Sequence, residues 1–107
     1  MSGSFGEMGN LLKQAQKMQA AMDEAREELK ATTVEGSSGG GVVRVVVTGD
    51  GSVQEVALTD AALAGNDKAM LEDLLLAALR DGITKATTLR EERMGKVTGG
   101  LNLPGLF

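Results

Sequence analysis

The chain has 107 residues, a formal charge of −4, and neither cysteine nor histidine. That composition excludes disulfides, thiolate chemistry, the usual zinc ligands and the Ser-His and Cys-His nucleophile pairs. Two Phe with no Trp or Tyr leave little to stack on single-stranded bases, while six Met and 42% hydrophobic residues suit helices packed on a valine-rich sheet. One domain covering 1–107 is expected at this length, and so small a core is commonly completed by oligomerisation. No stretch reaches the roughly 20 apolar residues of a membrane span. Residues 1–9 lack the charged and apolar regions of a signal peptide. No membrane, cofactor or small-molecule substrate is expected, and the absence of disulfides fits a reducing cytoplasm.

The first element reads as a helix from about Phe5 to Lys30. Met8, Leu11, Ala15, Met18, Met22, Ala25 and Leu29 recur at spacings of three and four, a heptad stripe held for three repeats. Gln, Lys, Asp and Glu fill the other faces. The stripe can pack on the chain's own sheet and last helix, but a helix this long outruns a three-stranded sheet. Part of it should therefore meet another subunit.

Thr32 to Ser37 reads as a first strand and Val42 to Thr48 as a β-branched second strand. The glycine run Gly36-Ser37-Ser38-Gly39-Gly40-Gly41 matches neither G-x-G-x-x-G nor the P-loop, so it reads as a loose connection rather than a phosphate cradle. Gly49-Asp50-Gly51-Ser52 is a hairpin signal, and Val53 to Thr59 is the third strand. Val43, Val45 and Val47 point one way from the second strand, and Val42, Arg44 and Val46 the other. Valines on both faces imply a sheet at least partly covered on both sides, which a dimer supplies most easily.

Thr59 to Asn66 is a linker with room for one short turn. Asn66 or Asp67 then caps a last long helix running to about Lys96. Met70, Leu71 and Leu74 to Leu79 are apolar almost all round, as in a segment buried on several sides. Leu71, Leu74, Leu75, Ala78 and Leu79 are the expected dimer interface. Ile83, Ala86, Leu89 and Met94 continue a narrower stripe. Residues 97–107 form an apolar, Gly- and Pro-containing tail expected to be flexible unless docked. The fold class is thus α+β: a long N-terminal helix, a three-stranded antiparallel sheet and a long C-terminal helix, intertwined as a homodimer.

The carboxylates cluster on helix surfaces, at Asp23-Glu24, Glu27-Glu28, Glu72-Asp73 and Glu91-Glu92. Acid–base catalysis needs two carboxyls in contrasting environments within a cleft, so a non-enzyme is expected. Charge is segregated along the chain: +1 over residues 1–22, −7 over 23–79 and +2 over 80–107. Lys13 and Lys17 form an i,i+4 pair with no acid between Met8 and Met22, and Arg90, Arg93 and Lys96 gather near the far end of the last helix. Such residues serve either as phosphate contacts, which would be salt-dependent and sequence-tolerant, or as ordinary solubilising charge.

Four segments in register resemble one known family. They are LLKQAQKMQ (Leu11 to Gln19), VEGSSGGGVVRVVVTGDGSV (Val34 to Val53), LEDLLLAALRDGITKA (Leu71 to Ala86) and MGKVTGGLNLPG (Met94 to Gly105). Together they are similar to the YbaB/EbfC nucleoid-associated proteins over nearly the whole chain. The resemblance implies a cytoplasmic bacterial homodimer that binds double-stranded DNA and reshapes the nucleoid, with long helices projecting like tweezers. It implies DNA contacts from charged residues on those helices, here Lys13, Lys17, Lys85, Arg90, Arg93 and Lys96. The rival expectation is a protein-interaction or chaperone-like scaffold dimer that uses the Met/Ala seam and the apolar tail.

Overall fold

A computed structural model describes residues 2–99, with side chains from residue 6 onward. The order is α1 (Ser2–Ala31), β1 (Thr33–Ser38), β2 (Val43–Thr48), β3 (Val53–Leu58), α2 (Asp60–Leu63) and α3 (Lys68–Val97). These are the α+β elements and the antiparallel sheet expected from the sequence, with bounds moved by at most a few residues. The expected flexible tail falls mostly on residues 100–107, outside the described residues.

α1 forms because Ala, Leu, Gln, Lys and Glu dominate it and no proline interrupts it. It ends where Thr32, Thr33 and Val34 turn the preference to extended backbone. The Thr32 hydroxyl donates to the Glu28 carbonyl at 2.8 Å, covering one of the acceptors the last turn leaves open. Of the two candidate caps for α3, Asp67 holds the position: its carboxylate accepts from the Met70 N–H at 3.1 Å. α2 follows Thr59 without a side-chain cap.

The sheet runs β1-β2-β3, both pairs antiparallel. Gly36, Ser37 and Ser38 of the glycine run belong to β1, and only its end makes the β1–β2 turn, where Gly39, Gly40 and Gly41 all take positive φ. Only glycine adopts three such conformations in succession without steric cost. Val43, Val45 and Val47 are completely buried beneath α3, with Ala78 and Ala86 in the same cluster. Burial of each valine is worth about 1.5–3 kcal/mol.

Two glycines let α3 lie directly on the sheet. A methyl group on Gly36 would collide with the backbone of Gly82 and Ala78, and one on Gly82 would come within 2.9 Å of Val45 and Val47. α3 is further fixed to β1 by polar contacts. The Ser38 hydroxyl donates to the Leu74 carbonyl at 2.5 Å, and the Ser37 N–H donates to Asp81 at 3.0 Å.

Coverage within one chain is incomplete in two places. The apolar stretch of α3 is not enclosed within one chain: Met70, Leu76 and Ile83 are exposed, and Leu71, Leu74, Leu75 and Leu79 are half-buried. The second face of β2 is only partly screened, with Val42 and Val46 half-buried and Arg44 exposed. The reason is geometric, since a single long helix can cover only one face of a three-stranded sheet. β3 shows this most clearly. By register its Val53, Val56 and Leu58 share the face of Val47, Val45 and Val43, yet all three remain exposed because α3 lies over β1 and β2.

A second, smaller cluster joins the helices. Met22, Ala25 and Leu29 of α1 are buried with Met94 of α3, and Met18, Leu89 and Val97 border them. The α1 stripe therefore packs on its own chain, but only along its C-terminal half. Met8, Leu11 and Leu12 are 59%, 65% and 60% exposed. α1 passes beyond the end of α3 as a bare arm.

Candidate nucleic-acid interface

Helical phase separates the two chemistries of the arm. Met8, Leu11 and Ala15 follow the stripe, while Lys13 and Lys17 project from the opposite side. Both lysines are exposed, and neither has an ion pair or hydrogen bond among the described residues. Continuing along their face, the spacing reaches Ala21, Glu24 and Glu28. Here α1 meets α3, and a groove of about 270 Å³ is lined by Ala21, Glu24, Ala25, Glu28, Arg93, Lys96 and Val97. Arg93 forms an ion pair with Glu28 across this groove. The acidic part of the face is thus met by the basic end of α3, and the basic part stands clear of carboxylates.

The six cations expected at the interface do not share one environment. Lys85 donates to the Glu35 carbonyl at 3.2 Å and pairs with Asp81 at 3.1 Å, so it ties α3 to β1. Asp81 is held below the usual carboxylate range, first by the Ser37 N–H and then by Lys85. Arg93 has its counter-charge in Glu28. Arg90 is half-buried, with its guanidinium beside the Gly51 turn of the β2–β3 hairpin. Lys96 is exposed at the groove. Lys13, Lys17 and Lys96 are therefore the cations most available to a phosphate.

Two further arginines bear on the surface charge. Arg80 is exposed on α3 and has no ion pair among the described residues, and Arg44 on β2 pairs with Glu35 at 3.6 Å. Nothing in the spacing of either separates it from ordinary surface charge, which is why a pattern reading passes over them. Of the expected dimer residues, Ala78 is completely buried against this chain's own sheet and has no surface for a partner. Leu71, Leu74, Leu75 and Leu79 retain partial exposure. No described helix is long and apolar enough to cross a membrane.

Comparison with known proteins agrees with this architecture. A nucleoid-associated protein of Acetivibrio thermocellus is 45% identical over 106 residues, covering 98% of this chain and 94% of that one. A nucleoid-associated protein of Ruminiclostridium cellulolyticum is 42% identical over 106 residues, covering 98% and 92%. The crystal structure of an uncharacterized protein from Helicobacter pylori superposes with a TM-score of 0.73 at 28% identity, over 89% of this chain and 97% of that one. Residues 5–101 match the model of the YbaB/EbfC DNA-binding family, and the chain belongs to that family.

Proposed function

We propose that this protein binds duplex DNA as a homodimer, mostly through the phosphate backbone, and that it organises the nucleoid rather than catalysing a reaction. The observation that carries the reading is the α1 arm, a projecting helix with Lys13 and Lys17 unpaired on one face and no acid from Gly9 through Met22. A chain of net charge −4 can approach a polyanion only if its positive charge is set apart from its acidic body, and the arm does that. Lys96 extends the patch and Arg90 lies nearby on α3, whereas the charges of Lys85 and Arg93 are already offset by acids of the same chain. Such contacts position the protein without reading bases.

The exposed apolar shelf supports the homodimer reading. β1 takes the Asp81 and Lys85 flank of α3, so the Leu76, Leu79 and Ile83 flank is turned toward the β3 side, where Val53, Val56 and Leu58 are also exposed. Apolar surface of this kind in a small domain is typical of a subunit interface. Leu71 and Leu75 border it from the preceding turns of α3, whereas Leu74 lies on the β1 flank against the Gly39 turn. Cytoplasmic, nucleoid localisation accompanies the reading.

The test has two arms. Duplexes of unrelated sequence should bind with similar affinity, and that affinity should fall steeply with salt, by about 0.9 in log K per log salt for each neutralised phosphate. A flat salt response would contradict the electrostatic reading. Val56→Asp should halve the mass measured by light scattering, whereas an unchanged dimer would contradict the proposed shelf. The rival reading, a protein scaffold, draws on the exposed Met8, Leu11 and Leu12. It would be favoured if no DNA binding were found at any salt concentration while the dimer stayed intact.

A further inference from the structure

One line of side chains on α1 changes sign along its length. Lys13, Lys17, Ala21, Glu24 and Glu28 follow one another at steps of three and four, so all five share one side of the helix. Lys13 and Glu28 are separated by about 22 Å of helix rise, less than the roughly 34 Å of one duplex turn. A phosphate backbone tracked by the two lysines toward the body of the protein therefore meets two carboxylates.

α3 brings two cations to the same place. Arg93 and Lys96 line the groove with Glu24 and Glu28. Arg93 is paired with Glu28, and both side chains stay within reach of solvent, at 41% and 45% exposed. Glu24 and Lys96 have no ion pair among the described residues. The other acids of this half of α1 are already engaged, Asp23 with Arg26 and Glu27 with Lys30. The groove therefore sets two cations against two carboxylates, beside an arm face that carries two lysines and no acid.

We propose that Glu28, with Glu24 beside it, restrains DNA binding: its carboxylate occupies the place on Arg93 that a phosphate would take. The inference rests on the DNA reading above and adds a brake to it. The planar fork of a guanidinium accepts carboxylate and phosphate alike. Glu28 competes for it from within the same chain, where no association step is needed. A phosphate that displaced Glu28 would leave Glu24 and Glu28 both unpaired and facing a polyanion, and like charges repel at that range. Arg93 is thereby kept out of the binding patch, and the groove stays neutral where the duplex passes it.

The test is duplex binding by the full-length protein across a salt series. Glu24→Gln/Glu28→Gln should raise affinity at about 0.1 M salt by roughly tenfold. It should also steepen the slope of log K against log salt by about 0.9 per chain engaged, the contribution of one added phosphate contact. Adding Arg93→Gln to that variant should remove most of the gain. The control is Glu72→Gln/Asp73→Asn, which takes the same charge from exposed positions near the start of α3, where Glu72 pairs with Lys68 at 3.9 Å. Glu72 is about 31 Å of helix rise from Arg93, beyond the Debye length of about 10 Å, so the control should bind as the wild-type protein does. An equal gain in the control would reduce the effect to net charge and overturn the proposal. Wild-type binding with no gain from Glu24→Gln/Glu28→Gln would overturn it and leave the DNA reading intact. No duplex binding by either protein would end both.

Discussion

The two halves of α1 share one apolar repeat and meet different fates. In the C-terminal half, Met22, Ala25 and Leu29 are buried on α3 beside the sheet, and Leu29 is only 2% exposed. In the N-terminal half, Leu11 occupies an equivalent stripe position and is 65% exposed. Periodicity specifies that a helix has an apolar side; it does not specify what lies opposite. That depends on where the neighbouring elements end, and α3 ends at Val97. The same division separates the charges, since Glu28 of the packed half meets Arg93 and the lysines of the arm have no ion pair among the described residues.

Several substitutions would break or sharpen this contrast. The largest effect is expected at the support of the packed half. Gly36→Val forces a side chain into the backbone of α3, and the shift needed costs about 3 kcal/mol or more. Chemical denaturation should find the midpoint moved to much lower denaturant, because that loss is a large share of a margin of about 5–15 kcal/mol. Next is Leu29→Ala, which should cost about 2–4 kcal/mol by the same measurement, since it empties a closed site. Leu11→Ala, on the same stripe, should cost less than about 1 kcal/mol, because opening of the arm is local. Equal losses at the two leucines would mean that the arm is as firmly covered as the packed half.

The smallest effect concerns pH. Asp81 has a carboxyl pKa depressed in the folded protein, so its contribution is present above the unfolded value and is lost as pH falls through the folded one. Asp81→Asn should therefore flatten the dependence of the melting temperature on pH in the acid range, with little further slope change near neutrality. A larger change above pH 6 would point to a different titrating group.

Much of the fold was legible because its signals are local. The β-branched run of β2, the Asp-Gly turn before β3 and the Asp67 cap each act within a few residues. What pattern could not supply was long-range. Gly36 and Gly82 are far apart in sequence, and only their contact explains why neither can carry a side chain. Arg93 looks like Lys13 and Lys17 in sequence, but its acid, Glu28, comes from another helix across the groove. The apolar stretch of α3 promised burial on several sides, and one chain buries only the side facing its sheet. The remaining apolar surface is the shelf proposed above as the contact between two copies.

The central claim is that the unpaired lysines of the arm, rather than the paired cations of the body, hold the DNA. The most direct test compares the salt dependence of duplex binding for Lys13→Gln/Lys17→Gln with that for Lys85→Gln/Arg93→Gln. The first pair should make the slope of log K against log salt shallower by about 2 per chain engaged, while the second should leave it nearly unchanged. Equal slopes for the wild-type protein and the arm variant, or a larger change from the body variant, would contradict the account.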